Sequence, residues 1–209
     1  MFKKHNVDPG KLSKYPISTL STTYVKRLKD KPEATREDIY KYQSLIGSLM
    51  YLMLGPQPDL TYAVSKFVHY VHDPSRDHFK AVIRIFTYIA NTLDFAIGYQ
   101  QTINGLDIDP LATYDADFAG ELSAGHWCKS TSGNMFFMAK GFISWSSKLQ
   151  PVIAVSTMEA EYLSLYVTAC QATWIRQIFK AVGFPIENPI IRPLYPTAPS
   201  VLWGLIYAL

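Results

Sequence analysis

The spacing of the apolar residues changes near residue 95, and this change constrains the fold more than any other feature of the chain. Before it, apolar side chains recur every three or four residues, which predicts helices at 39–54, from Asp59 to about His72, and from Arg76 to Asn91. After it, short aromatic or β-branched runs are bounded by Gly, Asp and Ser, which predicts strands. These runs are FAIGYQ (95–100), LATYDADF (111–118), GNMFFMA (133–139) and FISWSS (142–147). A helical unit is therefore expected to precede a sheet.

A long helix and a further strand are expected after these runs. The helix is predicted from Met158 to about Val182. Upstream of it, Lys140-Gly141 predicts a tight hairpin turn between GNMFFMA and FISWSS. The predicted buried stripe of the helix comprises Ala160, Leu163, Val167, Cys170, Trp174 and Ile178. PIIRPLY (189–195) predicts one more strand, and 199–209 begins like a helix. This order predicts an α/β fold whose mixed sheet has a three-strand antiparallel meander, a crossover helix and a parallel strand.

Composition limits the compartment and the class of protein. The chain has 209 residues, of which 48% are hydrophobic, so that a substantial core is possible. Its two cysteines cannot build the disulfide framework of a small secreted protein. The N-terminus lacks the apolar core of a secretory signal, and no apolar run is long enough to span a bilayer. An intracellular location, in the cytoplasm or nucleus and away from membranes, is expected.

The charge is distributed unevenly along the chain. Residues 1–95 contain 14 basic and 9 acidic residues, a net charge of +5, whereas 96–209 contain 6 and 8, a net charge of −2. This asymmetry fits a polyanion-binding module beside a carboxylate site, and solvated helix faces explain it as well. The five histidines are scattered without partners at metal-ligand spacing, so the candidate chemistry rests on carboxylates.

The first two candidate carboxylates lie in LATYDADFAG (111–120). Asp115 and Asp117 are two residues apart, so on a strand they share one face. Metal ligands, turn formers and remnants of a lost site are the three interpretations of this pair. Strand-end aspartates are common, so the pair alone is not specific.

The long helix supplies the second set of carboxylates. Ser156 and Glu159 have the spacing of a capping box, in which the Glu159 side chain reaches back to the N-cap amide. Glu161 lies about 200° round the helix from Glu159 and has no such role. It can therefore project toward the sheet edge where the strand carrying Asp115 ends. Two converging carboxylates suit a hard divalent cation such as Mg²⁺ or Mn²⁺, although a glutamate is also favoured in a first helical turn for its dipole.

Several motifs in order resemble one family over roughly residues 5–205. Segment 42–89 resembles the region after the polymerase palm in Pol polyproteins of copia-type (Pseudoviridae) LTR retrotransposons. YDADFAG, KSTSGNMFF, ISWSSKLQ and STMEAEYLSL resemble successive motifs of the ribonuclease H domain of that family. The resemblance implies an irregular arm at 1–36, a helical connection region at 37–94 and an RNase H-like domain at 95–209.

The resemblance also implies a site and a substrate. Asp115 matches the first catalytic aspartate of the family and Glu161 matches its helix glutamate, both as ligands of Mg²⁺ or Mn²⁺. Asp117 and Glu159 belong to the same motifs and are not the usual ligands. The implied substrate is the RNA strand of an RNA–DNA hybrid, with other Pol regions as possible partners. A further family motif near the site suggests substrate contacts, or turn roles, for Lys129, Ser130 and Thr131.

The chain departs from the family pattern in two ways. Thr197 stands where the family has its next catalytic aspartate, and the sequence ends before the fifth strand and last helix of that domain, so that a truncated domain is expected. The polymerase palm is also missing, which implies that the chain has no polymerase activity. Two hypotheses follow: a metal-dependent nuclease that uses Asp115 and Glu161, or a catalytically inactive nucleic-acid-binding or non-functional transposon remnant.

Aromatic residues offer a further alternative. Side chains of this kind can be stacking platforms for bases, or they can be core residues, and the core interpretation is the favoured one. The candidates are Phe136, Phe137, Trp145 and Trp174, together with Tyr114 and Tyr162 beside the two acids.

Overall fold

The computed structural model describes residues 34–100, 109–121, 128–186, 188 and 190–191. The chain divides into two compact units, with the division after Ala96. Within the described ranges the fold is mixed α/β, with four α-helices and one three-stranded antiparallel sheet. The predicted domain ranges, 1–36, 37–94 and 95–209, remain predictions.

The first unit consists of three helices. These are α1 (Arg36–Leu54), α2 (Thr61–Val68) and α3 (Arg76–Asn91), with a 3₁₀ turn at Pro58–Leu60 before α2. Helix α2 is shorter than the helix predicted from Asp59 to about His72, and Asp59 is not its N-cap. Leu60 occupies that position without a side-chain bond, and the Asp59 carboxylate instead accepts a 2.6 Å hydrogen bond from the Tyr88 hydroxyl. Burial and this bond raise the pKa of Tyr88 above its ordinary value.

Capping boxes fix where two of these helices begin. The Thr35 side chain accepts from the Asp38 amide, and the Asp38 carboxylate accepts from the Thr35 amide. Ser75 and His78 form the same reciprocal pair at α3, with the imidazole Nδ1 as acceptor. The helices bury one apolar cluster that includes Tyr42, Leu49, Leu60, Phe67, Val82 and Phe86.

The sheet of the second unit is a meander of β1 (Leu111–Glu121), β2 (Lys129–Met138) and β3 (Gly141–Leu149). The hairpin turn lies one residue earlier than predicted, at Ala139 and Lys140, which both have positive φ, 50° and 64°. Two residues with positive φ match the right-handed twist of the flanking strands, which is why this turn type joins tight hairpins.

The first predicted strand, FAIGYQ (95–100), is wrong because this segment has no strand ladder. It lies against the hairpin through three hydrogen bonds, one of them from the Lys140 ammonium to the Gln100 side-chain oxygen at 3.0 Å. The Gln100 amide donates to the Ala139 carbonyl at 2.8 Å, and the Tyr99 hydroxyl donates to the Phe142 carbonyl at 2.7 Å. The β-prone residues of this segment therefore contact the hairpin but do not form a strand.

The last predicted strand, PIIRPLY (189–195), is described only in part. Ala112 of β1 forms a parallel bridge to Ile191, and the Ala112 amide donates to the Ile190 carbonyl at 2.7 Å. The remainder of this segment and the predicted helix at 199–209 lie outside the described residues. The observed bridge lies along the edge of β1 that is opposite β2, so it extends the sheet beyond β1.

Helix α4 (Thr157–Ala181) crosses the sheet, but the predicted buried stripe is mostly wrong. Ala160 is buried as predicted. Trp174 is 55% exposed, Val167 is 41% exposed, and Cys170 and Ile178 are also exposed. The buried face consists of Ala160, Ser164, Thr168, Ala172 and Ile175. The sheet-facing side of α4 is thus rotated by about one residue and carries small residues, which allow a helix to approach a sheet closely.

Candidate carboxylate site

The middle of β1 supplies the first carboxylate of the site. Asp115 pairs with Gly133 of β2, and the ladder then shifts register between Asp117 and Glu121. At this irregularity Ala119 has a φ of 51°, and its amide donates to the Ser130 hydroxyl at 3.1 Å. Because β1 leaves the regular ladder here, its polar residues stand at an end of the paired region.

Asp117 is folded against the same irregularity. A β-carbon built on Gly120 would lie 1.9 Å from a carboxylate oxygen of Asp117, so the side chain covers that glycine. The contact gives Asp117 a local structural role.

At the start of α4, Glu159 takes part in the hydrogen bonds of the helix cap, whereas Glu161 does not. Ser156 is the N-cap, and its hydroxyl accepts from the Glu159 amide at 3.1 Å. The Glu159 carboxylate accepts from the amide of Val155 at 2.7 Å, one residue before the predicted Ser156 amide. Glu159 therefore has the structural role that was predicted, with a shifted partner.

Ser164 fastens α4 to the strand that carries Asp115. Its hydroxyl, in a side chain only 1% exposed, lies 2.7 Å from the Asp115 carbonyl and 3.3 Å from the Gly133 carbonyl. Gln150 adds a second tie, because its amide nitrogen donates to the Ala160 carbonyl and to the Ser132 hydroxyl, both at 2.9 Å. The first two turns of α4 are thus held at a fixed distance from β1 and β2.

These ties bring the carboxyl groups of Glu161 and Asp115 together. Burial raises the pKa of Glu161, the adjacent negative charge of Asp115 raises it further, and a hydrogen bond between the two carboxyl groups acts in the same direction. The backbone amide of Ala116 donates to Glu161 and lowers its pKa in opposition. When both groups are ionised, two like charges lie side by side at the surface of the second unit, and a cation would relieve their repulsion.

The donor set fits a hard divalent cation. Two adjacent carboxylates are a common protein contribution to a Mg²⁺ site, whose other ligands are waters and substrate phosphates. Within the described residues there is no group of three or more His, Cys, Asp or Glu side chains that could hold a metal. Asp115 and Glu161 are the carboxylate pair that the site brings together, and Thr197 lies outside the described residues.

The three residues predicted to touch substrate have different surroundings. The Lys129 ammonium donates to the Pro151 carbonyl at 2.9 Å, the fully buried Ser130 bonds to the Ala119 amide, and Thr131 is buried opposite Asp117. These bonds organise the end of β1 and β2 beside the carboxylates. Substrate contact by the three residues stays a prediction.

The candidate stacking residues divide into buried and exposed groups. Phe136 is fully buried in the cluster beneath α4, and Phe137 and Trp145 are half-buried and meet through Phe142. Trp174 and Tyr162 are exposed on α4. Core packing therefore describes Phe136, whereas Tyr162 lies next to Glu161 in the sequence and is accessible.

Sequence reasoning missed Ser164, Gln150 and Gly133. Small hydroxyl residues inside an amphipathic helix give no hydrophobic signal, although Ser164 lies one turn after Glu161 on a helix. An isolated glycine within a strand pattern was the available signal for Gly133. The role of Gln150 depends on a contact across the fold that no local pattern encodes.

Comparison with known proteins identifies the family. The chain is 35% identical over 152 residues to the retrovirus-related Pol polyprotein from transposon RE2 of Arabidopsis thaliana, covering 73% of this chain and 10% of that protein. It is 32% identical over 181 residues to the retrovirus-related Pol polyprotein from transposon TNT 1-94 of Nicotiana tabacum, covering 84% of this chain and 13% of that protein. The chain thus represents a retrotransposon Pol segment. It belongs to the family of copia-type retrotransposon Pol polyproteins, and it spans about a tenth of the length of these relatives.

A shorter relative matches the same region. Secreted RxLR effector protein 161 of Plasmopara viticola is 33% identical over 135 residues, covering 64% of this chain and 90% of that protein. No family model matches the chain. No solved structure matches it either. Across the part of the chain that the structure describes, we find no helix with the length and apolar character needed to cross a membrane.

Proposed function

We propose that the chain is the ribonuclease H region of a copia-type Pol polyprotein, together with the helical connection before it. Its reaction is the metal-dependent hydrolysis of the RNA strand of an RNA–DNA hybrid during reverse transcription. The observation that carries this proposal is the meeting of the Asp115 and Glu161 carboxyl groups, one from a strand and one from a helix. Membership in the Pol family supports it, and the meander followed by a crossing helix is consistent with an RNase H-like fold.

Each residue near the pair has a part in the proposed reaction. Asp115 and Glu161 supply the negative oxygens that hold a divalent cation, and the Ala116 amide orients the Glu161 carboxylate. Ser164 fixes the spacing between helix and strand. Mg²⁺ or Mn²⁺ bound there would help a water molecule attack the phosphodiester and would stabilise the leaving oxygen.

The substrate would be recognised by its shape and backbone. RNA–DNA hybrids present phosphates and 2′-hydroxyls, which proteins read without reference to base sequence. The net charge of +5 in residues 1–95 arises from residues 1–33, which contain 8 basic and 3 acidic residues. This charge supports phosphate contacts from the sequence that precedes the helices, and such contacts would be shared with other nucleic acids. Other regions of Pol are proposed partners, and reverse transcription places the protein in the cytoplasm or nucleus.

A catalytically inactive nucleic-acid-binding remnant is the second candidate, and a non-functional transposon fragment is its limiting case. Thr197 favours it, because threonine is neutral and a much poorer cation ligand than the aspartate of the family pattern. Losing one of three central carboxylates removes charge and coordination together. The two candidates share a fold and differ in whether Asp115 and Glu161 suffice for hydrolysis.

A cleavage assay separates the candidates. Labelled RNA–DNA hybrid is incubated with the full chain and Mg²⁺ or Mn²⁺, and binding is measured in parallel by fluorescence anisotropy. Asp115→Asn removes one carboxylate of the pair. Asp117→Asn is the matched control, since it changes the same residue type two positions along the same strand.

The proposal predicts metal-dependent cleavage that is lost in Asp115→Asn and kept in Asp117→Asn. Binding without cleavage would support the inactive remnant in its place. Equal cleavage by both variants would refute the assignment of the site, because a contaminating nuclease or another site would then be responsible. Absence of both cleavage and binding would refute the nuclease and the nucleic-acid-binding remnant, and it would leave the non-functional transposon fragment.

A further inference from the structure

Gly133 lies in the interior of β2, directly opposite Asp115. Glycine weakens the interior of a strand because it has no side chain to pack, and it often marks a position where a ligand or another backbone approaches closely. The backbone conformation of Gly133 is not left-handed, so a residue with a side chain could adopt it. The conformation of the strand therefore does not explain the glycine.

Internal packing does not explain it either. A β-carbon built on Gly133 meets no atom within 4 Å. Two other glycines of the second unit contrast with it: a β-carbon on Gly120 would collide with Asp117 at 1.9 Å, and one on Gly141 would collide with the Tyr99 ring at 2.4 Å. The space beside Gly120 and Gly141 is filled by the side chains of Asp117 and Tyr99, whereas no described residue fills the space beside Gly133.

This open space adjoins the Asp115 side chain. Residues directly opposite each other in an antiparallel pair point to the same face, with β-carbons about 4.5–5.5 Å apart. Helix α4 does not fill the space, since Ser164 bonds to the backbone carbonyl of Gly133 and leaves the β-carbon position clear. The bare peptide of β2 thus borders one of the two paired carboxylates.

We propose that Gly133 keeps open the approach through which the sugar-phosphate backbone of a nucleic acid reaches the Asp115–Glu161 pair. This inference rests on the proposed function and names the side from which the substrate approaches. A phosphodiester can lie against the peptide of β2 at this point, whereas a side chain would hold it away from the carboxylates. A misplacement of about 1 Å at a reacting centre can cost about 10²-fold in rate. Gly133 is accordingly a positioning residue that acts through the space it leaves.

The test compares Gly133→Ala and Gly133→Val with the wild-type chain. Gly47→Ala is the matched control, because Gly47 is exposed in α1 and a β-carbon there also meets no atom within 4 Å. For each protein, the melting temperature, Mn²⁺ binding, hybrid binding by anisotropy, and kcat and KM for hybrid cleavage are measured.

We expect both Gly133 variants to fold and to bind Mn²⁺ as the wild type does. Hybrid cleavage should fall by about tenfold in Gly133→Ala and further in Gly133→Val, with weaker hybrid binding and a higher KM. Gly47→Ala should match the wild type in binding and cleavage. Reduced cleavage with unchanged melting temperature and Mn²⁺ binding separates obstruction of the approach from damage to the fold or to the cation site.

Wild-type binding and cleavage by folded Gly133→Ala and Gly133→Val would overturn the inference while leaving the proposed function intact. If the wild type binds hybrid without cleaving it, the proposed hydrolysis fails, and equal hybrid affinity of Gly133→Ala and wild type overturns the inference separately. Gly133→Ala decides the question if the larger valine prevents folding. A wild-type chain that neither binds nor cleaves hybrid refutes the proposed function and the inference together.

Discussion

Replacing Ser164 with alanine should weaken the packing of α4 against the strand that carries Asp115, because it removes the hydrogen bonds between them. The Ser164 hydroxyl is buried and lies 2.7 Å from the Asp115 carbonyl and 3.3 Å from the Gly133 carbonyl. A buried hydrogen bond contributes about 1 kcal/mol net, so losing the shorter bond and the weaker one should cost about 1–2 kcal/mol. In a unit of about 100 residues each kcal/mol lowers the melting temperature by roughly 4–8 °C.

Thr173→Ala is the matched control on the same helix. The Thr173 hydroxyl donates to the Ala169 carbonyl at 2.8 Å within α4, and the side chain is exposed. Both substitutions remove a hydroxyl and introduce alanine, which favours helix formation by a few tenths of a kcal/mol in each case. The difference between the two variants therefore isolates the bonds from the helix to the strands.

Urea unfolding followed by tryptophan fluorescence measures this difference. All four tryptophans lie after residue 126, so the signal reports the second half of the chain. Ser164→Ala should unfold at a lower urea concentration than Thr173→Ala and should also lose hybrid cleavage, because Glu161 lies one turn away. Coincident unfolding midpoints for the two variants would refute the claim that Ser164 holds the helix to the sheet.

Three further perturbations test the packing and the electrostatics of the fold. The raised pKa of Glu161 means that the native state binds the proton of this carboxyl group more tightly than the unfolded state does. The contribution of Glu161 to stability should therefore be fully present below the ordinary pKa of 4.5 and should be lost as the pH rises through the raised pKa. Urea unfolding midpoints measured across the acidic range should fall less in Asp115→Asn than in the wild type. Gly141→Ala should destabilise the hairpin by about 1–3 kcal/mol through collision with the Tyr99 ring, and thermal melts should show a smaller loss in a Tyr99→Ala background. Thr35→Ala should cost about 1 kcal/mol by removing the N-cap of α1, measurable as faster amide exchange in the first turn.

Local signals in the sequence determined several element boundaries correctly. Helix α3 begins and ends where it was predicted, because Ser75 caps it and its apolar residues keep one face. Helix α4 starts within one residue of the prediction for the same reason, with Ser156 as its cap. Caps act through bonds three residues apart, so a sequence pattern contains all of their partners.

The buried face of α4 could not be predicted in this way. Large apolar residues such as Tyr166 and Trp174 occur on its exposed side, and the sheet-facing side has Ser164 and Thr168. The Thr168 hydroxyl donates to the Ser164 carbonyl at 2.8 Å, so these polar groups are satisfied in the interior without any outward sign. Hydrophobic periodicity therefore predicted a buried face of α4 that is rotated by about one residue from the face that packs against the sheet.

The meeting of Asp115 and Glu161 was predicted from helix geometry, and its electrostatic consequence was not. The capping role of Glu159 left Glu161 as the residue able to reach the strand, and the structure brings the two carboxyl groups together. The burial that raises the pKa of Glu161 depends on how closely α4 packs against the sheet. Ser164 and Gln150 set that distance through contacts across the fold.

Direct measurement of Mn²⁺ binding tests the central claim, which is that Asp115 and Glu161 form a divalent-cation site. Titration followed by the electron paramagnetic resonance signal of free Mn²⁺ would compare the wild type with Glu161→Gln and Asp115→Asn. Glu159→Gln removes the same charge two residues away, where the carboxylate only caps the helix. The account predicts that the wild type and Glu159→Gln bind Mn²⁺ and that Glu161→Gln and Asp115→Asn lose this binding. Equal Mn²⁺ binding by all four proteins would contradict it.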